Sequence, residues 1–223
     1  MAPDNSLEAY RLAAQHGADG IECDVRFTSD DVVVMLHDPV VAGLGALNGI
    51  NFATLRQVHP EIPTLDETLR ALPDPAFLLN IEIKNDPDEP GFDPTHRMGR
   101  VIASWIATHE LYGRVLVSSF NRATVDEVRA NDPTIPTGLL LDHNGRFPSL
   151  LPGIASDGHE WVLPHHSRLA FRPSRAIEAA HGHGLSIGTW TLDQTWRIVQ
   201  LSKARIDAIV TNDPGRTRDA LKE

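Results

Sequence analysis

Residues Gly20–Asp38 read GIECDVRFTSDDVVVMLHD. The first half alternates. Ile21, Cys23, Val25 and Phe27 fall on one face, Glu22, Asp24 and Arg26 on the other, which is the period-two pattern of a strand. Thr28-Ser29-Asp30-Asp31 reads as a turn, and the apolar run Val32–Leu36 then ends on His37-Asp38. Two carboxylates two residues apart on one strand face repel each other at neutral pH. Water relieves that repulsion on an exposed edge strand, whereas a covered strand needs a cation. At this point a solvated edge and a metal site are both open readings.

A second stretch repeats the device. In Phe77–Lys84, Leu79, Ile81 and Ile83 face one way and Asn80, Glu82 and Lys84 the other. Helical patterns alternate with such strands along the chain, which predicts a parallel, covered sheet. In a parallel barrel the outward face packs on helices, and inward polar groups collect at the carboxyl ends of the strands. Glu22, Asp24 and Glu82 then converge as an all-oxygen set suited to one hard divalent cation. Lys84, on the same face as Glu82, is placed to balance the carboxylates or to hold a phosphate oxygen.

The ordered segments IECDV, TSDD, VVVMLHD and IEIK resemble the glycerophosphodiester phosphodiesterase family. The resemblance extends to Asp4-Asn5-Ser6-Leu7, Ser118-Ser119-Phe120, Thr189-Trp190-Thr191 and Val210–Pro214. It implies a TIM-type (β/α) barrel and metal-dependent hydrolysis of a glycerophosphodiester to glycerol 3-phosphate and an alcohol, a step of lipid and glycerol metabolism. It further implies Mg²⁺ or Ca²⁺ on Glu22, Asp24 and Glu82, His37 and Lys84 as catalytic groups, and Lys84 as a substrate contact. His37 would move a proton near neutral pH, with Asp38 either orienting its ring or only beginning the turn. Trp190 shares an inward face with Ser186 and Gly188, and either packs in the core or walls the glycerol or headgroup pocket.

The family carries a strand ending in His-Arg-Gly before its first helix. Here only Met1-Ala2-Pro3 precede Asp4, and the one His-Arg pair, His96-Arg97, is followed by Met98. The expected fold is therefore a barrel lacking its first strand. The chain as given is expected to bind metal yet hydrolyse poorly, with unpaired gap strands at residues 22 and 211 inviting self-association. A non-catalytic metal- or phosphoester-binding relative is the rival reading. An unrelated Mg²⁺ barrel enzyme acting on a carbon acid is a third.

The remaining expectations follow from local signals. Asn5 reads as the N-cap of the first helix and Gly17 as its stop, and Thr64 with Glu67 forms a second capping box. Seven strands are expected near residues 21, 79, 116, 139, 162, 187 and 209. Helices are expected over 97–111, 124–130, 175–181, 194–202 and after Asp213-Pro214. Residues 142–159 read as irregular. The chain is read as a single domain, 1–223, with a short insertion at 39–63 that is either a reduced lid or a linker. Cys23 is read as core, His165 and His166 as strand-end residues near the mouth, and His181 and His183 as helix-end residues.

Lys and Arg number 20 against 30 Asp and Glu, a net charge of −10. With no long basic run, nucleic acid and anionic membranes are not expected partners. A small phosphodiester is, with a bound cation reversing the local sign. Cys23 is the only cysteine, so no internal disulfide forms. No membrane-spanning run or secretory signal is read, and the expected location is the cytoplasm.

Overall fold

The structure, a computed structural model, describes residues 2–72, 76–143 and 147–222. Met1, and residues 144–146 of the segment expected to be irregular, lie outside that range. Two compact units are present. One comprises the chain up to Gln15 and Asp19–Ile135; the other comprises His16–Ala18 and the chain from Pro136 onward.

The first unit begins with α1 (Leu7–Gln15) and β1 (Gly20–Phe27), followed by β2 (Val33–Met35), β3 (Val40–Val41), β4 (Gly45–Ala46), α2 (Phe52–Val58) and α3 (Leu65–Ala71). It continues through β5 (Leu78–Ile83), α4 (Arg97–Thr108), β6 (Val115–Ser119) and α5 (Arg122–Asn131). Its main sheet runs β6-β5-β1-β2, with β6, β5 and β1 parallel and β2 antiparallel to β1. The expected alternation holds where it matters. Cys23, Val25, Ile81 and Ile83 are at most 1% exposed, and burying each of the three aliphatic side chains contributes roughly 1.5–3 kcal/mol. Gly20 permits the close approach of β1 to β5, because a Cβ there would sit 2.5 Å from the Leu78 carbonyl oxygen.

Two details qualify the expectations for this unit. On the side away from β5, β1 is paired at its carboxyl end: Val25, Arg26 and Phe27 pair with Met35, Val34 and Val33, and the Leu36 N–H donates to the Asp24 carbonyl at 3.0 Å, while the paired positions of this hairpin do not reach Glu22. The turn makes this hairpin possible. Thr28 Oγ1 donates to Asp30 at 2.7 Å, and Asp31 takes a positive φ of 65°. Residues 39–63 are a folded piece rather than a linker. Val34, Val41, Leu47, Ile50 and Leu55 form one buried cluster, with Leu36, Leu44, Phe52 and Ile62 packed against it. Asn51 caps α2 through the Thr54 N–H, and the Thr64–Glu67 capping box opens α3 as expected.

The second unit contains β7 (Thr137–Leu141), α6 (Leu151–Ser156), β8 (Trp161–Pro164), α7 (Pro173–Gly182), β9 (Ser186–Thr189), α8 (Thr195–Lys203), β10 (Ala208–Ile209) and α9 (Pro214–Ala220). Its strands lie in the order β10-β9-β8-β7, all parallel. All seven expected strands are present across the two units. Helix α6 was not expected. It forms because Leu151 and Ile154, three apart on one face, are both buried and Pro152 sits in its first turn. Asp213 caps α9, with Pro214 at its start, as expected.

Candidate active site

The register of the parallel strands assembles the acidic cluster. Asp24 lies beside Glu82, and Glu22 beside Asn80; on the far side of β5, Ser118 lies beside Glu82 and its hydroxyl donates to Asn80 Oδ1 at 2.9 Å. One carboxylate oxygen from each of Glu22, Asp24 and Glu82 lies within 4.8 Å of the others. The structure thus brings together the three residues predicted from alternation alone.

Lys84 joins them. Its Nζ is 3.1 Å from Asp24 Oδ1 and 2.5 Å from Glu82 Oε1, and its side chain is 12% exposed. Three carboxylates share this one ammonium, so protons are drawn into the cluster. Burial, then Asp24 and Glu82, push the Glu22 carboxyl well above the usual range. Burial likewise raises Glu82, with Asp24 adding and Lys84 opposing. Burial works against the Lys84 ammonium, but Glu82 and Asp24 outweigh it and leave its pKa raised.

The carboxylates are under-satisfied. Glu22 Oε1 is buried without a hydrogen-bond partner among the described residues. Asp24 Oδ1 and Glu82 Oε1 have no donor there apart from the Lys84 ammonium. Buried anionic oxygens normally find partners. A divalent cation would supply what is missing, and an all-carboxylate donor set fits a hard ion.

Asn5 is a site residue that its local sequence disguised. It is not the N-cap of α1. Ser6 caps that helix, its Oγ accepting from the Ala9 N–H at 3.1 Å. Asn5 instead adopts a left-handed φ of 55° and turns to β1. Its Nδ2 donates to Asp24 Oδ2 at 2.7 Å, and its Oδ1 accepts from the Asp24 N–H at 3.0 Å. The buried Tyr10 hydroxyl also donates to Asn5 Oδ1, at 2.9 Å. The only sequence signal was Asp4-Asn5-Ser6-Leu7, whose neighbouring Ser6 satisfies the capping rule equally well.

His37 follows β2 and is solvent-facing, with 65% of its side chain exposed; its Nδ1 lies 2.7 Å from Asp38 Oδ1. That contact orients the ring, and the His37 hydrogen bond holds the Asp38 carboxyl below its usual range. The backbone at His37 is tethered by buried Arg26, whose Nε donates to the His37 carbonyl at 2.8 Å. The same guanidinium pairs with Glu89 at 2.7 Å. Glu89, 63 residues along the chain, gave no sequence signal. Cys23 is fully buried, as expected.

Trp190 lies in the second unit, where its Nε1 donates to the Leu163 carbonyl at 2.8 Å. His165 packs edge-on to it with ring centroids 4.9 Å apart. His165 in turn lies against His143 and His166, at 3.7 and 4.2 Å between centroids. His181 pairs with Asp207 at 2.9 Å, a helix-end contact.

Among curated proteins, the chain is similar to a glycerophosphodiester phosphodiesterase of Caldanaerobacter subterraneus subsp. tengcongensis, 28% identical over 232 residues that cover 95% of this chain and 89% of that protein. It is 28% identical over 167 residues to the human glycerophosphodiester phosphodiesterase 1, a match covering 65% of this chain and 48% of that one. Among solved structures, a glycerophosphodiester phosphodiesterase from Parabacteroides distasonis superposes with a TM-score of 0.81 at 22% identity, covering 99% of this chain and 91% of that one. An Oleispira antarctica phosphodiesterase, solved in complex with the product sn-glycerol-3-phosphate, superposes with a TM-score of 0.80 at 20% identity, covering 100% and 92%. These superpositions show the TIM-type (β/α) fold class expected from the sequence. The profile of the glycerophosphoryl diester phosphodiesterase family matches residues 1–216, and the chain belongs to that family.

Proposed function

We infer that this chain hydrolyses glycerophosphodiesters to glycerol 3-phosphate and an alcohol, with Glu22, Asp24 and Glu82 holding one divalent cation, Mg²⁺ or Ca²⁺. The observation that carries the reading is the trio of carboxylates within 4.8 Å of one another, with Glu22 Oε1 buried and unpartnered. Family membership supplies the substrate class. When bound, a cation there polarises a phosphoryl oxygen and acidifies an attacking hydroxyl or water.

The residues around it divide the remaining work. Asn5 fixes the Asp24 carboxylate through Nδ2 and the Asp24 backbone through Oδ1. Lys84 brings a positive charge to the edge of the cluster, where a phosphate oxygen needs one. Asp38 holds the His37 Nδ1–H, which leaves Nε2 as the atom that exchanges a proton with an attacking or leaving oxygen.

The test has two parts. Isothermal calorimetry should show one Mg²⁺ or Ca²⁺ site whose affinity falls sharply in Glu22→Gln. Turnover should favour glycerophosphocholine strongly over glycerol 3-phosphate. Equal turnover of the diester and the monoester would sink the substrate assignment, and unchanged cation affinity in Glu22→Gln would remove Glu22 from the ligand set.

A further inference from the structure

Arg26 continues the face of β1 that carries Glu22 and Asp24, two residues beyond Asp24. Its side chain is 8% exposed, and a buried guanidinium needs partners for its charge and its N–H groups. Its Nε donates to the His37 carbonyl at 2.8 Å, and a terminal nitrogen donates to the Glu89 carboxylate at 2.7 Å. The first of these partners is the backbone of the residue read above as the proton carrier.

His37 needs such a hold. The ladder of the β1–β2 hairpin extends to the Leu36 N–H, which donates to the Asp24 carbonyl. Strand β2 ends at Met35 and β3 begins at Val40, so His37 lies on the bend between them. Its side chain is 65% exposed, and the Asp38 carboxylate that holds Nδ1 belongs to the next residue. Asp38 therefore moves with His37. It aims the ring within the bend but does not fix the bend against the carboxylates. Arg26 does, because it belongs to the strand that carries Glu22 and Asp24.

Glu89 is itself held, in the segment between β5 and α4. Buried Asn85 closes that segment: its Oδ1 accepts from the Asp93 N–H at 2.8 Å, and its Nδ2 donates to the Asp93 carbonyl at 3.0 Å. The Asn121 side chain donates to the Asn85 carbonyl at 2.9 Å. Arg97, at the start of α4, pairs with Asp31 of the hairpin turn at 2.7 Å. The segment is thus pinned at its base and again on the hairpin. A planar guanidinium held by two acceptors has a defined orientation, which a point charge lacks.

We propose that Arg26 and Glu89 are positioning residues for proton transfer: Glu89 sets the Arg26 guanidinium, and the guanidinium fixes the His37 peptide relative to Asp24. The proposal rests on the reading of His37 as the group that moves the proton. Neither residue acts on the substrate itself. Displacing a reacting group by about 1 Å costs on the order of 10²-fold in rate, so this strap bears on kcat and not on substrate or cation binding.

Steady-state kinetics on glycerophosphocholine at saturating Mg²⁺ test it, with Mg²⁺ calorimetry and thermal melting on the same proteins. Arg26→Gln should lower kcat roughly 10- to 100-fold, and Glu89→Gln, at the more exposed partner, roughly 3- to 10-fold. KM and Mg²⁺ affinity should stay within about twofold of wild type. Added to His37→Ala, either substitution should cost nothing further, because both act through His37. Should Arg26→Gln fail to fold, Glu89→Gln, whose side chain is 35% exposed, carries the same cycle. Wild-type kcat in either variant, or full additivity with His37→Ala, would overturn the proposal and leave the hydrolytic reading intact. So would a fall in Mg²⁺ affinity that matches the fall in kcat, because it would assign the pair to the cation cluster. No turnover by wild type, or wild-type kcat in His37→Ala, would overturn the underlying reading and this proposal with it.

Discussion

Asn5→Gly is the sharpest probe of how the acidic cluster is held. Glycine keeps the left-handed backbone that Asn5 adopts at φ 55°, so the variant isolates the side chain. Three hydrogen bonds disappear: Nδ2 to the Asp24 carboxylate, the Asp24 N–H to Oδ1, and the Tyr10 hydroxyl to Oδ1. The first is charge-assisted and worth roughly 1.5–3 kcal/mol; the two neutral bonds contribute about 1 kcal/mol each. Asn5 is only half-buried, so water replaces part of what is lost, and the net destabilisation should be about 2–4 kcal/mol. For a chain of this size that lowers the melting temperature by roughly 5–15 °C. Because Asn5 orients a predicted ligand from behind, cation affinity should also fall about 10- to 100-fold. Thermal melting and cation calorimetry on Asn5→Gly read both effects. If the melt moves while cation affinity does not, Asn5 is merely structural; if neither moves, the network is not formed in solution.

Two further outcomes follow from single side chains. His37→Ala should reduce kcat on a glycerophosphodiester by ~10²–10⁴-fold while cation affinity stays at the wild-type level, and a joint loss of both would show that His37 supports the cluster instead of moving a proton. His165 is pressed down to about 4 by burial, with His166, His143 and Arg197 adding. Its folded pKa therefore lies below the ordinary 6.5, and the unfolded chain takes up the proton first. Its contribution to stability is full above about 6.5 and is lost as pH falls toward about 4. The melting temperature of wild type should drop across that window more steeply than that of His165→Asn, and parallel profiles would refute the assignment.

What the sequence revealed and what it hid divide along physical lines. Strands β1 and β5 were legible because each is covered on its apolar face, so burial enforces a strict period of two. Glu22, Asp24, Glu82 and Lys84 inherit their placement from that same alternation. The capping box at Thr64 and Glu67 was legible because both partners lie three residues apart. Contacts between distant segments left no such trace. Arg26 and Glu89 meet across 63 residues, and nothing beside Glu89 marks it. Asn5 misled for a different reason: a residue that turns back to a strand and a residue that caps a helix are chosen from the same short polar set. Residues 39–63 read as a possible linker because their glycines dilute the apolar positions. Those positions, Val41, Leu47, Ile50 and Leu55, follow neither helical nor strand spacing and meet only in the folded cluster.

The same alternation explains why a cluster of like charges survives in this fold. The carboxylates of Glu22, Asp24 and Glu82 repel one another and carry a desolvation cost, so the site alone would favour any rearrangement that separates them. Separating them requires a slip of β1 against β5. A one-residue slip of β1 moves that strand's whole set of side chains to the opposite face. Ile21, Cys23 and Val25, all buried, would then exchange places with Glu22 and Asp24. Ile21 and Val25 are each worth roughly 1.5–3 kcal/mol in place, and the slip would press two carboxylates into the apolar face they leave. The β2 hairpin adds a second lock at Val25–Phe27, and the Asp24 carbonyl is held by the Leu36 N–H. The apolar face thus fixes the register, and the register compels the acids to meet. The charge left unbalanced after Lys84 is what a divalent cation is suited to neutralise.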